Sequence, residues 1–125
     1  MKEVASWALH IATMRGASYA DARIVSQRSR ALSTKNGKVG SASDSESVGF
    51  SVRVLADGAW GFAASDDASR ASVEATAAQA VEIARASSRV KVHDVRLAPE
   101  KPVTAEWTTP HKIDPFTIPV EQNID

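Results

Sequence analysis

The chain has 125 residues, 43% of them hydrophobic, and its 15 basic and 15 acidic residues cancel. This length suits one domain with an apolar core, and the balanced charge gives no general attraction for nucleic acid or an anionic membrane. The lack of cysteine excludes a disulfide framework and thiolate chemistry. No stretch approaches the roughly 20 apolar residues that span a bilayer, and no signal peptide is evident. We therefore expect a soluble cytoplasmic protein that has neither nucleic acid nor a membrane as partner.

The first predicted element is a helix over residues 2–15. Its apolar residues recur at helical spacing and form one stripe, and Gly16 is a typical C-terminal stop. The stripe consists of Val4, Trp7, Ala8, Ile11 and Met14. His10 lies on the flank of this stripe, so we interpret it as a surface histidine and not as a metal ligand.

A first hairpin follows. Residues 19–34 are rich in β-branched and hydroxyl side chains and predict a long strand, and Asn36-Gly37 is a strong hairpin-turn signal. The return strand, over residues 38–45, is polar and serine-rich. Such a composition favours an edge strand, because polar and charged residues discourage pairing with a second sheet.

Five basic residues cluster around this hairpin: Arg23, Arg28, Arg30, Lys35 and Lys38. One interpretation is a phosphate-binding ridge, whose affinity for nucleic acid would fall steeply with added salt. The other is a solvated strand face. We favour the second, because Asp44 and Glu46 are near in sequence and no aromatic residue is interleaved.

A second hairpin is predicted over residues 48–64, where large apolar residues alternate on both sides of Asp57-Gly58. A two-residue loop would place Leu55 opposite Trp60 and put the aromatic residues on the face of Arg53. A three-residue loop would pair Val54 with Trp60 and gather the large apolar groups on one face. We predict the three-residue loop for that reason.

The next predicted element is a helix over residues 69–88. Asp66, Asp67 and Ser69 precede it, and we interpret them as capping residues because no partner carboxylate or histidine stands at a spacing suited to metal binding or acid–base chemistry. The helix has a stripe of small apolar residues: Val73, Ala77, Ala80, Val81 and Ala84. A stripe of this kind predicts close packing against a sheet.

The character of the chain changes near its end. Residues 90–97 predict one more short strand, and five prolines between Pro99 and Pro119 then predict an extended connector over residues 98–125. We therefore divide the chain into a domain over residues 1–97 and a connector over 98–125. A connector implies a further domain beyond it, so we expect this chain to be a piece of a longer protein.

Taken together, the elements predict an α+β fold. It consists of a helix, a four-stranded antiparallel sheet of two hairpins, a helix packed on one face and an extended Pro-rich tail. The sequence contains no recognisable catalytic or ligand-binding motif. His10, His93 and His111 are not spaced to chelate a metal. There is neither a phosphate-binding glycine loop nor a nucleophile elbow. We name no catalytic, cofactor-binding or metal-binding residue.

Several stretches resemble the N-terminal domain of the TldD/PmbA family, whose members are also known as modulators of DNA gyrase. They are residues 16–23, 36–39, 47–55, 57–63 and 80–84, with residues 109–116 resembling the connector to the next domain. The likeness covers nearly the whole chain. The hairpin with Gly49 and Trp60-Gly61-Phe62 resembles the TldD branch more closely than the PmbA branch.

This resemblance implies a zinc-dependent peptidase that trims peptides or unfolded proteins, often as a homo- or hetero-dimer of family subunits. In the family, a His-Glu-x-x-x-His helix of the C-terminal domain holds the zinc that activates water for attack on a peptide carbonyl. None of those positions exists in this chain. We therefore expect no cofactor here, zinc in the missing domain and no activity of this chain alone.

Two roles follow from the resemblance. In the first, the domain walls the substrate channel and helps to hold a second subunit, and its polar strand over residues 38–45 accepts an extended peptide through backbone hydrogen bonds. The alternative for this strand is that the rest of the protein covers its edge. In the second, the chain is a stand-alone protein-binding module that acts on a partner such as DNA gyrase without catalysis.

Overall fold

The computed structural model describes residues 1–123, which form two helices, three strands and two short 3-10 helices. The elements are α1 (Lys2–Met14), β1 (Tyr19–Lys35), β2 (Lys38–Ala56), β3 (Ala59–Ser65) and α2 (Arg70–Ser88), followed by 3-10 helices at Pro115–Thr117 and Val120–Asn123. The strands form one antiparallel sheet in the order β1-β2-β3. No helix in this described part is long and apolar enough to cross a bilayer.

Both predicted hairpin turns are confirmed. Asn36 and Gly37 have φ angles of 53° and 70°, and Asp57 and Gly58 have φ angles of 50° and 73°. Positive φ at both central residues defines the type I′ turn, whose twist matches that of the flanking strands. Asn, Asp and Gly tolerate this backbone conformation better than other residues do, which explains the two dipeptides.

The prediction of four strands is wrong. β2 runs without interruption over 19 residues from Lys38 to Ala56, so the predicted strand over residues 38–45 is the first part of β2 and not a separate edge strand. The polar residues Ser45, Glu46 and Ser47 suggested a break between two strands. Their side chains are exposed, and an exposed polar side chain can be solvated without ending a strand.

The predicted three-residue loop is also wrong. The loop has two residues, and Leu55 pairs with Trp60 while Arg53 pairs with Phe62. The reason lies at Gly61, which faces α2: a Cβ there would lie inside van der Waals contact with the backbone of Ala80 and Ala84. An aromatic side chain has no room on this face of β3, so the aromatic residues lie on the other face.

The chain forms two compact units, and the first consists of Met1–Gln27 and Ser47–Ala98. In this unit α2 packs on β3, and α1 packs on α2. The core consists of Ala8, Ala12, Phe50, Val52, Val54, Ala56, Ala63, Val73, Ala77, Ala80, Val81 and Ala84. The predicted small-residue stripe of α2 is thus confirmed, and its small side chains permit the close approach of helix and sheet.

The prediction for α1 holds except at its end. Val4, Trp7 and Ile11 pack against the core, and Gly16 follows the helix with a φ of 92°. Met14, however, is 74% exposed, and Ala12 is the buried residue of the last turn.

Residues 90–97 do not form the predicted strand. They cover the β2–β3 turn instead: the backbone N–H of Val95 donates to the carbonyl of Gly58 over 2.9 Å, and the ammonium of Lys91 donates to the carbonyl of Asp57. Lys91 also lies 2.6 Å from the carboxylate of Asp94. The segment is therefore attached to a turn, through the backbone of Val95 and the side chain of Lys91.

The second unit consists of Arg28–Glu46 and the described residues from Pro99 onward. It contains the Asn36-Gly37 hairpin turn and both 3-10 helices. These two short helices were not predicted.

Candidate interaction surface

In the first unit, the sheet has a face that neither helix of the unit covers. Side chains alternate across a strand, and the core takes the residues of the helix-covered side. The other side, which we call the open face, carries Tyr19, Asp21, Arg23 and Val25 of β1, Ser51 and Arg53 of β2, and Trp60, Phe62 and Ala64 of β3. Phe62 is 55% exposed, which is unusual for a large aromatic side chain inside a sheet.

A fixed aromatic and charged group lies on the open face. The guanidinium of Arg53 lies 4.9 Å from the ring centroid of Trp60 and 2.7 Å from the carboxylate of Asp21. Tyr19 meets Trp60 edge to face, with ring centroids 5.9 Å apart. The hydrogen bond and charge of Asp21 raise the pKa of Arg53 above its ordinary value, so the cation over the ring is permanent.

A groove of about 570 Å³ lies on this face where β3 ends, and we call it the edge groove. Its lining is Arg23, Val25, Ser47, Val48, Gly49, Phe50, Ser51, Ala64, Ser65 and Asp66. Small side chains form its floor, at Gly49, Ser51 and Ala64. The groove therefore exists because the sequence places small residues on two neighbouring strands, β2 and β3, beside the larger Arg23 and Val25 of β1.

The groove adjoins a free strand edge. Among the described residues, β3 pairs with β2 from Phe50 to Ala56 and ends at Ser65. The chain then turns away, and the N–H of Asp67 donates to the hydroxyl of Ser65 over 3.1 Å. In an antiparallel pair, every second residue of a strand forms backbone hydrogen bonds with the same neighbouring strand, and this alternation starts at the residues that flank a two-residue turn. By that alternation Val48 presents its N–H and C=O at the edge that β3 leaves open.

The capping interpretation is confirmed at Ser69, whereas Asp67 bonds to Ser69 and not to the helix. Ser69 is the N-cap of α2, and its hydroxyl accepts from the N–H of Ser72 over 3.3 Å. Asp67 accepts from the backbone N–H and the hydroxyl of Ser69, each over 2.8 Å. These bonds lower the pKa of Asp67. Asp66 lines the edge groove instead.

The basic cluster is partly neutralised by carboxylates. In the second unit the guanidinium groups of Arg28 and Arg30 lie 3.3 and 3.1 Å from Asp44, and Arg28 lies 3.5 Å from Glu46. Hydrogen bonds from Arg28 and Arg30 hold the pKa of Asp44 below its ordinary value. These two arginines therefore lie on a strand face where carboxylates compensate their charge. Arg23, by contrast, lines the edge groove.

Within the second unit, the segment around Phe116 packs against side chains of β1. Arg28 and Arg30 lie 4.9 and 5.7 Å from the ring centroid of Phe116, and Arg30 donates to the carbonyl of Ile118 over 3.1 Å. Asp114 accepts from the N–H of Phe116 over 2.9 Å and so begins the first 3-10 helix. The signal in the sequence was Asp114-Pro115, an N-cap followed by a proline at the first helical position.

Among residues 1–123, none of the three histidines belongs to a group of side chains that could hold a metal. His10 is exposed and stacks on Trp7 with ring centroids 5.5 Å apart, so its interpretation as a surface residue is confirmed. His93 is exposed, and a ring nitrogen of His111 bonds to the carbonyl of Thr109 over 2.9 Å. Within residues 1–123, no group of three His, Cys, Asp or Glu side chains is placed to hold a metal. The donor set described does not fit a zinc ion.

A family model described as PmbA/TldA metallopeptidase domain 1 matches residues 20–84, which span β1 to most of α2. The chain therefore belongs to the PmbA/TldD metallopeptidase domain 1 family. The match includes β1, the free edge of β2, and Trp60 with its neighbours. Both the open face and the edge groove thus lie almost entirely inside the domain that defines the family.

Two curated relatives of the PmbA/TldD chain are archaeal. One is a metalloprotease of Methanocaldococcus jannaschii, 29% identical over 104 residues, which cover 83% of this chain and 23% of the relative. The other is a metalloprotease of Methanothermobacter thermautotrophicus, 40% identical over 52 residues, which cover 42% of this chain and 12% of the relative. The chain therefore spans less than a quarter of the relatives that it matches.

Sequence reasoning missed the group of Asp21, Arg53 and Trp60 because it chose the wrong register for the second hairpin. The signal was present in Asp57-Gly58, which is among the strongest indications of a two-residue turn. Preference for one large apolar face outweighed it in the prediction.

Proposed function

We propose that this chain is the non-catalytic N-terminal domain of a zinc-dependent peptidase, where it shapes the path of a polypeptide substrate and contributes to contacts between subunits. The observation that carries the proposal is the open face, with exposed Phe62, the fixed Trp60 and the free edge of β2 beside them. Aromatic surface and unpaired backbone groups are suited to holding an extended polypeptide, since they bind main chain and side chains of many sequences.

Within residues 1–123, no group of three His, Cys, Asp or Glu side chains is placed to hold a metal. We propose that this chain has a role without chemistry and supplies no ligand to the zinc centre. In the proposed peptidase, zinc belongs to a different part of the protein and supplies the activated water. The role of this domain is then to present the peptide to that part. We propose a cytoplasmic location for the whole protein, consistent with the lack of cysteine.

The first experiment separates catalysis from binding. The chain is incubated with a quenched fluorescent peptide, with and without added zinc, and we expect no cleavage in either case. Hydrogen exchange is then measured in the presence of an unfolded, carboxymethylated protein. We expect slower exchange within residues 47–64 and unchanged exchange in α2, which lies on the other side of the sheet.

Two outcomes would contradict the proposal. Cleavage that a chelator abolishes would show a catalytic role, and unchanged exchange throughout the open face would show that it does not hold polypeptide. The alternative role, a protein-binding module without catalysis that acts on DNA gyrase, is separated in the same experiment. It predicts protection by folded gyrase and none by the unfolded protein.

A further inference from the structure

We propose that the edge groove binds an extended peptide as an added β-strand and that Arg23 binds a carboxylate of that peptide. This inference rests on the proposed role in holding polypeptide, and it assigns that role a site and a ligand chemistry. Three features of the groove carry it: a free backbone edge, room above small side chains, and a cation that has no acidic partner within residues 1–123.

The backbone edge decides the shape of the ligand. β3 stops opposite Phe50, whereas β2 continues toward Lys38. A strand placed in line with β3 would therefore meet the N–H and C=O of Val48, which have no partner in β3. An unpaired strand edge accepts another extended chain through main-chain hydrogen bonds, which depend little on the sequence of that chain.

The groove provides space for the side chains of such a strand. The floor residues Gly49 and Ser51 lie on the face of β2 that looks into the groove. A Cβ at Gly49 would lie 3.3 Å from the carbonyl oxygen of Ser65, so a larger side chain would narrow the groove at the end of β3. With glycine there, an added strand can approach β2 closely.

Charge decides the chemistry of the ligand. Four arginines lie on the strands, and three of them, Arg28, Arg30 and Arg53, are paired with carboxylates. Arg23 is exposed on the groove wall and forms no ion pair with any residue from 1 to 123. A guanidinium binds a carboxylate through two parallel hydrogen bonds, so Arg23 is suited to a C-terminal carboxylate or to an acidic side chain.

Asp66, on the rim of the same groove, restricts this choice. Its carboxylate lies at the end of β3 and forms no ion pair with a residue in the described part of the chain. It would repel a second acidic group of the ligand. The groove therefore favours a peptide with one carboxylate near Arg23 over a polyacidic peptide.

The test uses fluorescein-labelled peptides of seven alternating valine and threonine residues, with binding to the 125-residue chain measured by fluorescence anisotropy. One peptide has a free C-terminal carboxylate, one is amidated, and one is amidated but carries a glutamate. A fourth has the free carboxylate and N-methyl groups on alternate residues. We expect the amidated neutral peptide to bind about tenfold more weakly than a charged one. We expect no measurable binding of the N-methylated peptide.

Variants assign the site. Arg23→Ala should remove the preference for a carboxylate and Arg23→Lys should restore part of it, whereas Arg89→Ala, a change at an exposed arginine of the same unit, should leave binding unchanged. Gly49→Val should weaken all peptides, and circular dichroism checks that each variant is folded. The comparison between the peptide with a free C-terminal carboxylate and the amidated peptide with a glutamate shows which carboxylate Arg23 prefers.

Each failure has a distinct meaning. Equal binding of charged and neutral peptides, or an unchanged preference in Arg23→Ala, would overturn the assignment of Arg23. Tight binding of the N-methylated peptide would overturn strand addition. In both cases peptides still bind, so the proposed function stands. If no peptide binds at all, both proposals fail.

Discussion

Val52 and Val54 are completely buried in the first unit, whereas in the second unit no residue among 28–46 and 99–122 is buried. The same two strands, β1 and β2, contribute to both units. In the first unit their side chains meet helices and form a core. In the second, arginines pair with Asp44 and with the ring of Phe116. The same two strands thus have two different kinds of side-chain support.

The magnitudes differ accordingly. Full burial of a valine side chain contributes about 1.5–3 kcal/mol, whereas an exposed ion pair contributes about 0–1 kcal/mol. We therefore expect the free energy of unfolding to reside mainly in the first unit. The second unit should respond to pH, salt and single changes in its docked segment without global unfolding.

The largest expected effect follows from Gly61→Val. The side chain would meet the backbone of Ala80 and Ala84, so α2 would have to move away from β3. We expect a loss of about 3 kcal/mol or more in the free energy of unfolding, or failure to fold. Urea denaturation followed by circular dichroism measures this loss.

The matched control for that change is Gly37→Ala, at the turn of the second unit. No atom lies within 4 Å of the added Cβ, but φ is 70°, so we expect a cost of about 1 kcal/mol from backbone conformation alone. Equal effects of the two changes would show that α2 does not pack on Gly61 as described.

A pair of valine-to-alanine changes compares the two units directly. Val54 is fully buried and Val39, in the second unit, is 49% exposed. We expect Val54→Ala to lower the free energy of unfolding by about 2 kcal/mol and Val39→Ala to change it by less than about 0.5 kcal/mol. A larger effect at Val39 would indicate a core in the second unit and would contradict the comparison.

Phe116→Ala should act locally. The ring loses its contacts with Arg28 and Arg30, so the segment around it should be cut faster by a protease, while global stability changes by less than about 1 kcal/mol. Limited proteolysis with mass spectrometry measures the cleavage rate. Trp107→Ala, at a side chain that is 79% exposed, is the control and should not alter that rate.

The smallest expected effect is the pH dependence of Asp44. The ordinary pKa of this carboxyl is 3.8, and hydrogen bonds from Arg28 and Arg30 lower it in the folded chain. Glu46 is a second acid near this group and lies beside Arg28. A lowered folded pKa means that the stabilising contribution is complete above the ordinary pKa and is lost as pH falls through the folded pKa. We therefore expect the backbone N–H groups within residues 115–118 of the wild type to lose their protection from hydrogen exchange in acid.

Asp44→Asn serves as the reference for this measurement. It should show weaker protection of the same residues at neutral pH and no loss of protection through the acid range. A wild-type profile that follows that of the variant at every pH would contradict the role of Asp44.

Local signals predicted much of the fold. Residues close in sequence determine three of the confirmed features: the two dipeptide turns, the small-residue stripe of α2 and the start of α1. The register of the second hairpin was mispredicted because it depends on a distant contact, that of Gly61 with α2. The cover over the Asp57-Gly58 turn also depends on a distant contact, the hydrogen bond from Val95 to Gly58. The continuity of β2 was missed because exposed polar residues were interpreted as a break between strands.

The candidate surface was predicted less well. The sequence correctly predicted capping by Ser69, because capping acts within a few residues. The contact of Arg53 with Asp21 joins residues 32 positions apart, and no pattern of either strand alone indicates it. Arg23 was grouped with Arg28 and Arg30 by sequence, although their environments differ.

The most direct test of the central claim, that the open face holds polypeptide, is photo-crosslinking from this face. A benzophenone amino acid is placed at Phe62, whose side chain is 55% exposed, or at Ala75 on the exposed side of α2 as control. Each variant is irradiated with an unfolded, carboxymethylated protein. The account predicts crosslinks from position 62 and few from position 75. Equal yields from the two positions, or none from position 62, would contradict it.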